Sequence, residues 1–366
     1  MLMHRALQYL DWAPEWTRNV VAAGYTGVSL FFVLSGFVLA YTYLERGDIQ
    51  RIERRMFWAA RFARVYPVYL VSLLVALPAF AGLIIIRDGA LLGPETSPGK
   101  IALTTLTLTH AWSWTTVWQW NSPGWSLSAE AFFYCMFPLI VPPLLRQARG
   151  RLLFTAGALW LLALLPPVLY LLCHADGGIA ASRDGILMSV KFNPVLRIPE
   201  FAMGVVLGKL FLERPAAQSN SRWAGWMSET AAGVIVALLA MSPALPFILL
   251  HNGLLAPAFG LLIFGLACGR GPLARILSHP GLLLLGEASY ALYLLHQPLW
   301  WWVTTLKHVS ALDRQPASFF VGYVVITLLA SVVVLQLVEK PCRKALRQKL
   351  APGVNEAPAV ASPLAA

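Results

Sequence analysis

Residues 121–134, NSPGWSLSAEAFFY, decide how this chain is read. Ser122 can cap a helix, and Pro123 suits the first helical position, where the N–H that proline lacks would have no intrahelical partner. From Trp125 the chain stays apolar to Leu145, with Ser126, Ser128 and Glu130 as its strongly polar interruptions. An apolar run of roughly 20 residues is enough to cross a bilayer as a helix. Glu130 therefore falls early in a membrane span, where a carboxylate is costly unless it faces a cavity or a partner.

Outward from that stretch the same pattern recurs. The chain has 366 residues, 58% hydrophobic and only 12% charged, with a mean hydropathy of +0.65. That composition predicts an all-α fold, a polytopic transmembrane helical bundle. Candidate spans cover residues 20–43, 66–86, 124–145, 152–173, 199–212, 228–241, 251–268, 281–303 and 319–338. Some are shorter than a bilayer asks for, so their ends must extend into adjoining segments. Residues 1–10 read as a further, truncated span, the tail of one whose beginning is missing. The opening MLMHRALQYLDW is too short and too polar for a secretory signal. No internal repeat is visible. One membrane-embedded domain is expected over residues 1–350, followed by a disordered Ala/Pro-rich tail at 351–366.

The formal net charge of +11 would suggest nucleic acid in a soluble domain, but here the basic residues concentrate in short loops between apolar runs. They report topology. Arg46, Arg51, Arg54, Arg55, Arg61 and Arg64 share one loop, which the positive-inside rule places in the cytoplasm. Residues 101–120 are long enough to cross but crowded with Thr, Trp and His110. Were they to cross, the Arg146, Arg149 and Arg151 loop and most later basic loops would land outside. Read instead as re-entrant or interfacial, they leave the basic clusters at 146–151, 209–222, 270–275 and 340–349 inside. That makes about ten spans counting the truncated one, with both termini cytoplasmic. Trp112, Trp114, Trp118 and Trp120 suit an interface. Cys135, Cys173, Cys268 and Cys342 show no CxxC or Cys/His spacing, so neither disulfide nor metal is expected.

In residues 27–37, GVSLFFVLSGF, the small Ser35 and Gly36 allow close helix packing, and Gly204 and Gly208 read the same way. Arg61 and Arg64 lie on one face if their helix begins this early, with Pro67 expected to break or start it. Paired arginines at a cytoplasmic surface can hold phosphates bidentately. The loop alone favours topology or headgroup anchoring instead. Ionisable residues at membrane depth are His4, Glu130, Glu200, Glu287 and His296, and each is a functional candidate by virtue of its cost. Each also has a structural reading. Glu200 follows Pro199 and would favour a helix N-terminus; Glu287 would anchor a helix–helix bond; His296, before Gln297 and Pro298, would satisfy carbonyls near a kink. Glu287 and His296 lie about half a circle apart on a straight helix, so they do not line one cavity.

These blocks together resemble the acyltransferase 3 family of integral-membrane acyltransferases, which includes O-acetyltransferases of bacterial surface polysaccharides and of nodulation factors. The resemblance covers nearly the whole chain, in the family's order: GVSLFFVLSGF, RFARVYPVYL at 61–70, NSPGWSLSAEAFFY, RIPEFAMGVVLG at 197–208, LGEASYALYLLHQPL at 285–299 and VEKP at 338–341. It implies a membrane-bound O-acyltransferase that moves an acyl group, commonly acetyl, from cytoplasmic acyl-coenzyme A to a hydroxyl of a sugar or cell-surface glycan precursor. It also implies a multi-pass protein of the bacterial inner membrane with no tightly bound cofactor and no nucleic-acid partner. Its partners would be acyl-coenzyme A, a carbohydrate or lipid-linked glycan acceptor, and membrane lipids. By similarity Arg61 and Arg64 match the arginine pair that meets the coenzyme's phosphates. Glu130, with Trp125, matches the Trp-plus-Glu motif, and His4 matches the catalytic histidine. Glu200, Glu287, Tyr290 and His296 are further candidates from the matching blocks. The family places an arginine about three helical turns before that histidine, and this chain starts too late to contain one; with Met1 and Met3 so close to the histidine, the resemblance implies a native start upstream rather than a defective first span.

The chemistry is coherent without the resemblance. Attack of a hydroxyl on a thioester needs a base of near-neutral pKa, which histidine supplies, and stabilisation of the developing oxyanion. Glu130 could orient the imidazole or bind an acceptor hydroxyl. Ser35, Ser126 and Ser128 leave a covalent route open, with no nucleophile–base–acid spacing to favour it. A proton-coupled transporter or flippase would also use buried carboxylates and histidines, but it should show inverted repeats or matched broken helices and would leave the arginine pair without a purpose. A purely structural membrane subunit leaves the buried carboxylates unexplained.

Overall fold

The computed structural model describes residues 7–44, 54–86, 96–174, 184–214, 222–269, 271–309 and 316–350, and every regular element among them is helical. We number the helices α1 Glu15–Ala22, α2 Gly27–Leu44, α3 Arg54–Ile86, α4 Pro98–Leu106, α5 Trp125–Leu145, α6 Arg149–Cys173, α7 Gly185–Phe192 and α8 Pro194–Leu212. There follow α9 Arg222–Ala240, α10 Phe247–His251, α11 Ala256–Ala267, α12 Pro272–Leu277, α13 Pro280–Val309, α14 Pro316–Val334 and α15 Lys340–Leu350, the last preceded by a π-helical turn at Leu335–Glu339. Lipid offers the backbone no hydrogen bonds, so chains this apolar bond internally as helices. Among the described residues, six helical stretches are long and apolar enough to cross: Glu15–Leu44, Arg54–Gly82, Ser122–Leu144, Arg149–Cys173, Phe247–Ala267 and Ser318–Leu346. The protein is a multi-pass helical membrane protein. The remaining spans expected from sequence, at 199–212, 228–241 and 281–303, fall within α8, α9 and α13.

The chain forms two compact units. One comprises Met1–Trp12, Arg55–Ala131 and Pro280–Asn355. Its spine is α3, which runs unbroken through Pro67 and Pro78. Pro67 thus neither breaks nor starts the helix; a break at membrane depth would expose several carbonyls, whereas one internal proline frees a single bond. Beside it lies α13. The Tyr290 hydroxyl donates to the Val65 carbonyl at 2.7 Å, and Trp302 Nε1 donates to the Val75 carbonyl at 2.9 Å. Since both residue numbers rise together, the two helices run parallel.

In the same unit residues 98–120 form a short hook. Ser97 caps α4, its hydroxyl accepting from the Lys100 N–H, and Pro98 occupies the first turn. The helix has nine residues, a rise of about 13.5 Å, and then turns, with Leu108 and Trp120 in the left-handed region at φ 56° and 57°. Three side chains fasten the hook to α3: Tyr66 donates to Leu106 O at 3.1 Å, Tyr69 to Thr105 O at 2.9 Å, and Trp120 Nε1 to Leu73 O at 3.0 Å. Trp112, Trp114 and Trp118 remain exposed.

The other unit comprises Ala13–Arg54, Phe132–His279 and Glu356–Ala366. At its centre α2 and α8 touch through backbone. A Cβ on Gly36 would strike the Phe201 carbonyl, and one on Gly204 the Val33 carbonyl, so the small residues serve close packing. Val33, Phe37, Met203, Phe211, Ala256 and Ile263 form the core around that seam. Lys209 Nζ donates to the Leu144 and Gln147 carbonyls at 3.0 and 2.9 Å, satisfying orphan carbonyls where α5 ends.

Candidate functional site

In the first unit, the head of α5 gathers most of the polar groups. Asn121, rather than Ser122, takes the cap position, ahead of a 3-10 turn at Ser122–Gly124 that contains Pro123. Its side chain does not cap. Instead Asn121 Nδ2 donates to Ser72 Oγ and to the Leu294 carbonyl, each at 3.1 Å, which ties α3, α5 and α13 together. One turn on, Ser126 Oγ lies 3.0 Å from Tyr293 Oη, and Ser128 Oγ accepts from the Ala111 N–H at 3.3 Å. Trp125 and Glu130 are buried on the same helix, Glu130 at 4% exposure.

From α13, His296 Nδ1 meets the Tyr293 carbonyl at 2.6 Å. A carbonyl can only accept, so Nδ1 carries a proton in this contact. The His296 carbonyl accepts in turn from Tyr323 Oη at 2.7 Å. Beside these groups, Asn121 Oδ1 and Gln297 Oε1 are buried with no hydrogen-bond partner among the described residues. Two amide oxygens left in that state are a standing demand for donors.

Towards its start, α3 carries the arginine pair three residues apart on one face. The Arg61 guanidinium lies 5.9 Å from the Phe57 ring centroid, while Arg64 is exposed and its charge acts on Glu339. Glu287 pairs with Lys340 at 2.9 Å and is more than half exposed, unlike the buried His296 on the same helix. Arg61, Arg64, Trp125, Glu130, Glu287, Tyr290 and His296 thus belong to one unit. Glu200 belongs to the other, and His4 lies outside the described residues.

Glu200 departs from the sequence reading, because it sits within α8 and not at its start. Its partner is Arg197, at 2.9 Å, both side chains being 1% exposed. The same guanidinium donates to the His251 carbonyl at 2.6 Å and to Ser29 Oγ at 2.9 Å. His251 Nδ1 is held 2.8 Å from Asn252 Oδ1, and Asn252 Nδ2 donates to Val190 O at 2.6 Å. Next to this network Lys191 lies against the Phe192 and Phe247 rings, where burial pushes its ammonium down to about 8. Sequence reasoning missed Arg197, His251 and Asn252 as partners. The arginine was legible, three positions before the glutamate on one helical face; the histidine and its asparagine are brought in by tertiary contact alone. The same is true of Ser72, Asn121 and Tyr293 in the first unit. The second unit also holds an apolar cavity of about 500 Å³, lined by residues such as Leu139, Pro143, Leu159 and Ile198 and by no ionisable side chain.

Comparison with known proteins adds the chemistry. The acyltransferase domain family matches residues 1–336. The chain is 27% identical over 358 residues to acyltransferase MdmB of Streptomyces mycarofaciens, covering 93% of this chain and 88% of that protein. It is 29% identical over 297 residues to the exopolysaccharide production protein ExoZ of Rhizobium meliloti (strain 1021), covering 78% and 79% respectively. To the O-acetyltransferase OatA of Staphylococcus aureus it is 24% identical over 350 residues, which is 88% of this chain but 53% of OatA. No solved structure matches.

Proposed function

The chain belongs to this acyltransferase family, and on that premise we propose that it moves an acyl group, acetyl, from cytoplasmic acyl-coenzyme A to a hydroxyl of a sugar or cell-surface glycan precursor. It does so in the bacterial inner membrane, with both termini in the cytoplasm and one catalytic domain over residues 1–350. The observation that carries the reading is a buried carboxylate, Glu130, in the same unit as an arginine pair whose Arg64 is exposed. Arg61 and Arg64 bind the coenzyme's phosphates as guanidinium forks. His4 is the base that takes the acceptor hydroxyl's proton, and Glu130 orients that imidazole or the acceptor. The unpartnered oxygens of Asn121 and Gln297 suit an acceptor rich in hydroxyl donors. The name of ExoZ, an exopolysaccharide production protein, agrees with a surface-glycan acceptor, and that of OatA, an O-acetyltransferase, agrees with transfer of acetyl to a hydroxyl.

Mass analysis of surface glycans from cells with and without the gene tests this directly. Loss of one ester-linked acyl group, restored by the wild-type gene and not by His4→Ala, is the expected result. Identical glycans in the two strains would remove the glycan acceptor, and full activity of His4→Ala would remove the base.

A further inference from the structure

The arginine pair does not stand alone at its end of the first unit. One turn of α13 holds two neighbours together: Tyr290 donates to Val65 O at 2.7 Å, next to Arg64, and Glu287, one turn earlier on the same face, pairs with Lys340 Nζ at 2.9 Å. Lys340 opens α15. The residue before it, Glu339, is buried, lies within reach of Arg64's charge, and takes Arg343 Nη1 at 3.3 Å. Arg64, Lys340 and Arg343 thus gather around Glu287 and Glu339, with Arg61 one turn from Arg64 on the same face of α3. The side chains of Lys340, Arg343 and Glu287 are 43%, 50% and 56% exposed. The Lys340–Glu287 pair, exposed on both sides, is weak and exchanges readily, whereas Arg343 rests on a Glu339 side chain that is only 5% exposed.

We propose that Lys340 and Arg343 complete, with Arg61 and Arg64, a single anion site for the phosphates of the acyl donor, and that Glu287 holds Lys340 until that anion arrives while Glu339 keeps Arg343 in place. The proposal rests on the acyl-coenzyme A reading above. The chemistry recognised is a polyphosphate: several phosphate groups match four cations, whereas a lipid phosphate brings one charge. Arriving phosphates displace the exposed Glu287 from Lys340, while Arg343 keeps Glu339 on one nitrogen and offers its remaining N–H donors to the ligand. The head of α15 thereby becomes part of the donor site.

The test is equilibrium binding of coenzyme A to the full chain in nanodiscs of phosphatidylcholine, repeated with phosphatidylglycerol added. Lys340→Ala with Arg343→Ala should weaken coenzyme A binding by about tenfold or more. Lys349→Ala, further along the same helix, should stay within about twofold. Glu287→Gln should bind coenzyme A more tightly, because it removes the competing carboxylate, and a misfolded protein would not show that gain. Unchanged affinity in the α15 double variant, with binding lost in Arg61→Ala/Arg64→Ala, would exclude α15 and leave the donor reading standing. Unchanged affinity in both double variants would overturn the proposal and the donor reading together. Should the α15 variant lose only retained phosphatidylglycerol, the site belongs to lipid headgroups and the proposal fails. If that variant does not fold, Glu287→Gln decides: tighter binding supports the site, and equal or weaker binding sinks it.

Discussion

Arg197 spends all its visible bonding on the protein interior: Glu200, the His251 carbonyl and the Ser29 hydroxyl. Both terminal nitrogens of the guanidinium are engaged in this way, leaving Nε as its one buried donor without a hydrogen-bond partner among the described residues, so the pair with Glu200 acts first as a structural joint of the second unit. Removing one partner strands the other charge in a buried site, at a cost of about 3–5 kcal/mol. Arg197→Ala should therefore yield little folded protein by detergent size-exclusion chromatography, whereas Arg197→Met with Glu200→Leu, which removes both charges, should recover most of it. A monodisperse, heat-stable Arg197→Ala would mean the pair is dispensable to the fold and would return Glu200 to the list of mechanistic carboxylates. Arg61 and Arg64 are placed differently, near the start of a helix with Arg64 exposed. Arg61→Ala with Arg64→Ala should leave insertion normal and weaken coenzyme affinity by about 1.5–3 kcal/mol per lost charge-assisted contact. Lysine in both places should restore only part of it, since charge survives but the fork does not.

Among the elements, the seam between α2 and α8 is the most constrained. A methyl on Gly204 would have to occupy the position of the Val33 carbonyl, and moving backbone in a packed core costs about 1–3 kcal/mol or more. Gly204→Ala should lower the thermal midpoint, followed by fluorescence-detected size exclusion, while Gly233→Ala, with open space around its Cβ, should not. Equal midpoints for the two would show that the helices are free to separate. This seam was legible in the sequence as small residues at Gly36, Gly204 and Gly208, because close approach needs a missing side chain and leaves a trace in composition. The hook at 98–120 was legible only as a segment that does not behave like a span. Its turns place Leu108 and Trp120 in the left-handed region, a cost that no local sequence feature announces and that the bonds from Tyr66, Tyr69 and Trp120 offset. Pro67 misled for a related reason: local rules read it as a break, and the lipid environment overrode them. The candidate site divides along the same line. Carboxylates and arginines stood out by their cost in an apolar run, whereas Asn121, Tyr293 and His251 owe their partners to helices distant in sequence.

For the molecule as a whole, the parallel course of α3 and α13 bears on topology. Two helices fastened at both Val65–Tyr290 and Val75–Trp302 start on the same face. The chain leaving the far end of α3 must then cross an odd number of times before α13 begins. Between them lie the expected spans at 124–145, 152–173, 199–212, 228–241 and 251–268, an odd set, with the hook at 98–120 as the segment that would make it even. A nine-residue helix followed by turns is too short to add that crossing. With the arginine-rich loop before α3 in the cytoplasm, as proposed, the start of α13 and the basic residues that precede it would be cytoplasmic too. So would the turn between α5 and α6, one crossing after the hook. A reporter fused after Arg151 should accordingly be active in the cytoplasm and silent outside, and one fused after Arg275 should match it. A periplasmic signal after Arg151 alone would give the hook a full crossing and require a second change of parity before α13. Periplasmic signals at both positions would contradict the parallel pairing of α3 and α13.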